Sequence, residues 1–228
     1  MKSLLKLYML SFFFITSHFA YASITPSATE LFIGGKSGRS ERLRIYNNSD
    51  AIAYVKIGDV YRVINPGTVN QNEEKVDNLN EAELLVTPRQ LVIQPNSDMD
   101  IAIYDMLQER GVESAYYFKI ERILPPSTGN INVNIAYRIL VRASPNLSKP
   151  LFLHEVTAEH IILKNRGNTR LSFKDAKWCQ HDEMLSCYPL DTRSFRIYPG
   201  VDKKIPIRKG YVLHLLEIYP DHKRHLIK

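Results

Sequence analysis

The chain has 228 residues, with 30 Lys and Arg against 24 Asp and Glu, and therefore a formal net charge of +6. So mild a basic excess, spread along the chain, does not predict a nucleic-acid partner. Beyond residue 22, no segment approaches the run of about 18 apolar residues that a transmembrane helix needs, so we expect no membrane insertion of the mature chain.

The first 22 residues, MKSLLKLYMLSFFFITSHFAYA, have the three parts of a secretory signal peptide. Lys2 and Lys6 give a charged start, an apolar run extends to Ile15, and residues 20–22 match the small-x-small cleavage pattern. We therefore predict that residues 1–22 are removed and that the mature protein works in an oxidising compartment.

The next hundred or so residues are dominated by strand signals. Short runs rich in β-branched and aromatic residues alternate with Pro, Gly and Asn turns. In chain order they are ERLRIYN, AIAYVKI, VYRVI, ELLVT, QLVIQ, DIAIYD and SAYYFKIERIL. Only QNEEKVDNLNEAELL, residues 71–85, has the composition of a short helix. This pattern is typical of an antiparallel sandwich.

The stretch NINVNIAYRILVRASP, residues 130–145, alternates with a strict period of two. The pattern predicts a strand with one apolar face, about twice the usual strand length. The apolar positions are Ile131, Val133, Ile135, Tyr137, Ile139 and Val141. Such a face serves either the core of its own domain or a second chain, and the alternation alone does not decide between them.

A second set of strand signals follows the Pro- and Ser-rich segment ASPNLSKP, residues 143–150. Its members are LFLHEVTAE, HIILKN, RLSFKDAKW, RSFRIYP, KKIPIRK and YVLHLLEIYP. We predict an all-β protein of two β-sandwich domains, residues 23–145 and 146–228.

The two cysteines, Cys179 and Cys187, lie eight positions apart in the second predicted domain. In an oxidising compartment this spacing favours a structural disulfide at the base of a hairpin or loop. A metal site would need more ligands than His181 between them, and a redox pair is usually closer, as in a C-x-x-C motif.

Catalytic motifs are missing from the sequence. GGKSG, residues 34–38, lacks the upstream glycine of a phosphate-binding loop, where Glu30 stands instead. The histidines have no metal-site spacing, and there is no G-x-S-x-G motif. We therefore predict no enzyme activity, no catalytic residue, no metal and no cofactor.

Three segments have a shared order and spacing that point to a family. ELLVTPRQLVIQPNSDMDIAIY carries Thr87-Pro88 and Pro95; VESAYYFKIERILPP carries Glu113 and an aromatic strand ending at Pro125; the alternating stretch ends at Pro145. Together they resemble the periplasmic pilus-assembly chaperones of the chaperone–usher pathway. The cysteine pair in the second domain resembles the non-archetypal branches of that family.

The resemblance implies two immunoglobulin-like domains set at an angle, like a boomerang, and a function in the periplasm. Such a chaperone donates a strand to a pilus subunit whose own sandwich lacks one, and delivers the subunit to an outer-membrane usher. It implies that Ile131, Val133, Ile135 and Tyr137 enter the groove of the subunit. We expect Ile139 and Val141, nearer the domain junction, to serve the chaperone's own core.

The resemblance also implies a basic anchor for the C-terminal carboxylate of the subunit, in the cleft between the domains. Arg138 and Arg142 are both candidates on the long strand. Arg142 has a second possible role, as the partner of Glu113 in a buried acid–base pair. The first strand, ITPSATELFI, departs from the family because it has no Arg or Lys.

Two other functions remain open at this level. A secreted fibre subunit or adhesin is also rich in β-strands, but it would carry an alternating N-terminal extension, for which residues 23–27 are too short. A secreted enzyme would need a convergent polar site, which the sequence does not show.

Overall fold

The structure is a computed structural model that describes residues 24–68, 70–77, 82–124, 134–180 and 186–228. The predicted signal peptide lies outside the described residues, and so do Ile131, Val133 and His181. Strands account for nearly all the regular structure in the described part, with one single-turn 3-10 helix at Gly35–Ser37. The predicted all-β class is therefore confirmed.

In the described part of residues 24–144 there are eleven strands. They are β1 (Ile24–Pro26), β2 (Glu30–Gly34), β3 (Ser40–Asn47), β4 (Ala53–Ile57), β5 (Tyr61–Ile64), β6 (Asn72–Lys75), β7 (Leu84–Thr87), β8 (Gln90–Ile93), β9 (Ser97–Asp105), β10 (Ser114–Arg122) and β11 (Ala136–Ser144).

These strands form two sheets that face each other across an apolar core. One sheet has the order β1-β3-β9-β7, and the other has the order β2-β11-β10-β4-β8, with β5 and then β6 added beside β10. Alternate residues of each strand point inward, as in β4, where Ala53, Val55 and Ile57 are buried and the residues between them are exposed. The first predicted sandwich is therefore present, with its core between the two sheets.

Eight further strands, counted over the described residues of 152–227, form a second sandwich. They are β12 (Phe152–Val156), β13 (His160–Asn165), β14 (Leu171–Gln180), β15 (Cys187–Pro189), β16 (Phe195–Ile197), β17 (Asp202–Pro206), β18 (Tyr211–Tyr219) and β19 (Arg224–Ile227). Its sheets have the orders β12-β13-β17 and β15-β14-β18-β19, with β16 beside β14. A separate apolar core lies between them. The boundary at residue 145 stays a prediction.

The possible helix at residues 71–85 is wrong in its described parts, because both ends of the segment are strands. Residues 72–75 form β6, which pairs with β5, and residues 84–87 form β7, which pairs with β9. Helix-forming Glu and Lys residues are overridden here by tertiary pairing, which routinely exceeds intrinsic propensity.

Among the described residues, none belongs to a helix with the length and apolar character needed to cross a membrane.

Candidate functional site

Strand β11, at the end of the first sandwich, has two different edges. On one side all of Ala136–Ala143 pairs with β10 in antiparallel register. On the other side only Leu140–Ser144 pairs with β2, in parallel register, and the amide of Leu140 donates to the carbonyl of Thr29 (2.9 Å). In the described part of the chain, no strand pairs with this second edge before Leu140. The backbone groups there are available to another strand.

The apolar residues of β11 separate into two groups along the strand. Ile139 and Val141 are fully buried in the core of the first sandwich, as expected. Tyr137 is half-buried and packs against the same core. Ile135, just before the strand begins, is 49% exposed although it continues the same apolar alternation. The apolar face therefore extends beyond the core that it helps to fill.

A cleft of about 780 Å³ lies between the two sandwiches, beside the opposite face of β11. Among its lining residues, four are cations and one is a carboxylate. They are Arg138, Arg170, Lys174, Arg196 and Glu30. The excess of positive charge suits the cleft to an anionic group, and arginines can hold a carboxylate by paired hydrogen bonds.

Arg138 is the solvent-facing arginine of β11 in this cleft. Its guanidinium stacks on the ring of Tyr117, with 3.5 Å between the guanidinium carbon and the ring centroid. Its Nη2 donates to Oε1 of Glu73 on β6 (2.7 Å), and the Tyr117 hydroxyl donates to the other oxygen of the same carboxylate. The side chains of Arg138 and Glu73 are 52% and 41% exposed, so solvent reaches both.

This contact shifts the pKa values of two of its side chains. The hydrogen bond from Tyr117, and after it the interaction with Arg138, hold the pKa of Glu73 below its ordinary value. Burial, together with the hydrogen bond to Glu73, raises the pKa of Tyr117 to about 12. Glu73 is therefore charged and Tyr117 neutral at neutral pH, the states in which the tyrosine donates to the carboxylate.

Arg142 has a different environment, four residues further along the strand. It is 1% exposed, its Nε donates to Oε1 of Glu30 on β2, and its Nη1 donates to the hydroxyl of Tyr198 in the second sandwich (2.6 Å). Burial opposes ionisation of Glu30, but the hydrogen bond and charge of Arg142 outweigh it, with help from Arg196, and lower the pKa of Glu30. Arg142 thus joins the two sandwiches through contacts that are already satisfied.

The predicted structural acid, Glu113, is buried as expected, but its partner is not Arg142. Its carboxylate accepts from Nη1 of Arg170 (2.5 Å), from the amide of Arg170 (3.0 Å) and from the hydroxyl of Thr169 (2.9 Å). The alternative pairing of Glu113 with Arg142 is therefore wrong. Parallel pairing of β2 with β11 brings Glu30 to Arg142 instead, and Glu113 is left to bind the second sandwich.

Sequence reasoning missed the contribution of the second sandwich to the cleft. Arg196 and Tyr198 lie on or next to β16, where Phe195 and Ile197 are buried and Arg196 faces outward. Nη2 of Arg196 is 3.9 Å from Oε2 of Glu30, at the limit of an ion pair. The alternation in RSFRIYP could have placed Arg196 on an outer face. It could not have shown that this face meets β2.

The hairpin of β5 and β6 also forms one wall of the cleft. Val63 of β5 lines it, together with Pro66, Gly67 and Gln71 between the two strands. Gly67 has a positive φ of 78°, and a Cβ there would lie 3.3 Å from the ring of Tyr198. The hairpin tip is therefore packed closely against the second sandwich, which holds the wall in place.

The predicted disulfide is confirmed, since Cys179 and Cys187 are bonded. They lie directly opposite each other on the antiparallel strands β14 and β15. This bond is in the second sandwich and takes no part in the cleft lining.

No protein-family model matches the chain. Two curated relatives do, and both are fimbrial proteins of Escherichia coli. The chain is 31% identical over 177 residues to a CFA/I fimbrial subunit, which covers 72% of each protein. It is 29% identical over 179 residues to a CS1 fimbrial subunit, covering 72% of this chain and 73% of the relative.

Solved structures with the same fold include pilus chaperones. The class 5 fimbriae chaperone CfaA superposes with a TM-score of 0.71 at 23% identity, over 90% of this chain and 99% of that one. A chain from the chaperone–tip adhesin complex of CFA/I fimbriae biogenesis gives a TM-score of 0.71 at 24% identity, with the same coverage. The two immunoglobulin-like sandwiches predicted from the sequence are thus the fold of this chain.

Proposed function

This chain belongs to the family that includes the CFA/I fimbrial relative from Escherichia coli, and we propose that it is a periplasmic chaperone for pilus subunits. The observation that carries the proposal is the open edge of β11. The edge offers backbone groups for pairing, and the apolar face beside it extends beyond its own core. An incomplete sandwich lacks a strand that supplies these backbone hydrogen bonds and apolar side chains.

In the proposed complex, the region from Ile131 to Tyr137 serves as the donated strand. Its backbone pairs with an edge of the subunit, and its alternating apolar side chains fill the subunit's groove. The 49% exposure of Ile135 supports this assignment, because a large aliphatic side chain gains free energy when it leaves water. Tyr137 packs on the chaperone's own core and would therefore sit where the two apolar interiors meet.

The proposed anchor for the subunit's C-terminal carboxylate is Arg138 rather than Arg142. Arg138 is exposed in the cleft and can turn toward an incoming group, whereas Arg142 is buried and already bound to Glu30 and Tyr198. Arg196, from the second sandwich, faces the same cleft and adds positive charge. This arrangement compensates for the segment ITPSATELFI, residues 24–33, which supplies the acid Glu30 on β2 instead of a base.

Delivery of the bound subunit to an outer-membrane usher completes the proposed function, and no catalytic step is part of it. The usher and the periplasmic location rest on the family resemblance and on the predicted signal peptide. One chain of a chaperone–tip adhesin complex superposes on this chain, which supports pilus subunits as partners.

The second candidate function is that of a fibre subunit or adhesin, and the names of both curated relatives favour it. A subunit that is completed by a partner lacks its own last strand. Here β11 is the last strand of the first sandwich, and it pairs with both β10 and β2. We therefore prefer the chaperone.

The test is co-expression of the full chain with a pilus subunit that is encoded beside it, in the periplasm of a host that lacks its own pilus genes. We expect a one-to-one complex that co-purifies, and degradation of the subunit when the chain is omitted. A subunit that accumulates equally without the chain, or a chain that assembles into fibres by itself, would contradict the proposal.

A further inference from the structure

We propose that Glu73 is a resident carboxylate that competes with the subunit's C-terminal carboxylate for Arg138, and so determines which chain ends the cleft accepts. The inference rests on the proposed function, because it takes Arg138 as the anchor. It adds a specificity residue on the β5–β6 hairpin, outside the donated strand.

Glu73 already makes the contacts that an incoming carboxylate would make. One of its oxygens accepts from Nη2 of Arg138 at 2.7 Å, and the other accepts from the hydroxyl of Tyr117. The guanidinium lies over the Tyr117 ring, so the ring face supports it while its N–H groups remain available at the edge. The same two donors can serve a main-chain carboxylate with little rearrangement.

The Glu73 contact has the character of an exchangeable ion pair. Both side chains are about half exposed, and ion pairs of this kind contribute little to stability because water and salt screen them. The neighbouring pair of Arg142 and Glu30 is the opposite case, since the arginine side chain there is only 2% exposed. An incoming carboxylate can therefore replace Glu73 without taking apart the junction between the sandwiches.

The hairpin that carries Glu73 is held by other contacts. All four residues of β6, Asn72–Lys75, pair with β5, and Val76 directly after them is buried in the core of the first sandwich. The hairpin tip is packed on Tyr198 at Gly67. Rotation of the Glu73 side chain is therefore enough to free Arg138, and the wall of the cleft stays in place.

Selectivity follows from the exchange. A C-terminal carboxylate replaces one anion by another on Arg138 and Tyr117, so the loss of Glu73 is compensated. An uncharged segment, such as an internal strand of an unrelated protein, offers no anion to replace Glu73, so it leaves the pair of Glu73 and Arg138 in place and gains nothing from the arginine. Removing Glu73 should therefore strengthen binding of chain ends that carry a carboxylate.

The experiment uses a peptide that copies the C-terminal strand of the subunit identified by co-expression, made once with a free carboxylate and once with an amide. Binding of both peptides is measured with the wild-type full chain and with Glu73→Gln, Glu74→Gln and Arg138→Ala. Glu74 is the matched control, because it is the next residue and pairs with Arg62 instead. Salt at about 0.15 M limits long-range charge effects to about 8 Å.

We expect Glu73→Gln to bind the free-acid peptide about two- to five-fold more tightly than wild type, the range for loss of one exposed ion pair. Glu74→Gln should leave that affinity unchanged, the amide peptide should respond to neither variant, and Arg138→Ala should lose the preference for the acid. Thermal melting should show that all three variants are folded.

Equal binding of the acid peptide by wild type and Glu73→Gln would overturn the inference while leaving the proposed function intact. So would a gain for the amide peptide as large as the gain for the acid. Failure of the wild-type chain to bind either peptide would overturn the proposed function, and this inference with it.

Discussion

The two ends of β11 differ in almost every physical respect. The end nearer the junction is paired on both sides from Leu140 onward, buries Ile139 and Val141 in the core, and fixes Arg142 between Glu30 and Tyr198. The other end, among the described residues, is paired only with β10, leaves Ile135 half in solvent, and carries Arg138 in an exposed ion pair.

This difference shows how one continuous alternating pattern can hold two roles. Alternation determines which residues share a face, and the neighbouring strand determines where that face stops being interior. Here the buried part of the apolar face begins at Ile139, and pairing with β2 begins at the next residue, Leu140. A charge at Ile139 should therefore disrupt folding, whereas a charge at Ile135 should disrupt capture of the subunit and leave folding intact.

The largest expected effect comes from placing the same charge in the core and at the free end. Ile139→Asp buries an unpaired carboxylate in the first core and should cost at least about 4 kcal/mol, enough to unfold the first sandwich. Ile135→Asp should leave melting of the free chain nearly unchanged, because its site is half in water, and should abolish capture. Denaturant unfolding and co-purification of the subunit measure both properties. A folded Ile135→Asp variant that captures normally would remove the donor role from this end.

The second contrast compares the two arginines. Arg142→Ala removes a buried cation that joins the sandwiches and should lower the free energy of unfolding by about 3 kcal/mol. Arg138→Ala should change it by no more than about 0.5 kcal/mol, yet weaken capture. Urea unfolding at neutral pH measures the free energy of unfolding, and pull-down of the subunit measures capture. The comparison fails if capture depends on Arg142 in a folded variant and not on Arg138.

A third experiment asks whether the end of the second sandwich that carries the disulfide contributes to capture. Replacing both cysteines by serine opens a bond between residues eight apart, and the chain-entropy relation gives a loss of about 2–3 kcal/mol. Capture at low temperature should be unaffected, because the bond lies away from β11 and from the cleft lining. Calorimetry measures the melting of the second sandwich. Loss of capture by a folded double variant would place part of the binding surface near this bond.

The smallest expected effect is the dependence of the junction on pH. The folded-state pKa of Glu30 lies below its ordinary value of 4.5, so the folded chain binds fewer protons than the unfolded chain. Its contribution is therefore present above about pH 4.5 and is lost as pH falls through the lower folded value. Because the side chain is one-third exposed, we expect at most about 1 kcal/mol. Measured between about pH 3 and 6, the free energy of unfolding should depend less on pH in Glu30→Gln than in the wild-type chain. The same pH dependence in both proteins would rule this contribution out.

The sequence predicted what depends on local pattern and failed where partners come from elsewhere in the chain. Ile139 and Val141 were placed in the core by alternation and by their nearness to Pro145, and both are buried. The disulfide followed from spacing and compartment. The partner of Arg142 could not be predicted, because it depends on the parallel pairing of β2 with β11. Glu30 and Arg142 are separated by more than a hundred positions in the sequence.

The cleft was less predictable than the strand. The second sandwich packs against β2, and this packing brings Arg170, Arg196 and Tyr198 to the cleft. The periodicity within a strand does not predict how two domains pack against each other. Glu73 was hidden for a related reason. It lies in a segment whose composition favours a helix, and only its pairing with β5 makes it a strand residue within reach of Arg138.

The start of β2 at Glu30 has a consequence for which subunits can fit. A visiting strand that pairs along the free edge of β11 must end before Leu140, where Thr29 already accepts the backbone amide. The free edge therefore ends at a fixed position, Leu140, and Arg138 lies two residues before that limit. A subunit whose final strand were longer by one residue could keep its carboxylate near the arginine only by shifting register, and a shift of one residue turns every side chain to the opposite face. Chain length, and not sequence alone, would then decide which subunits this protein can carry.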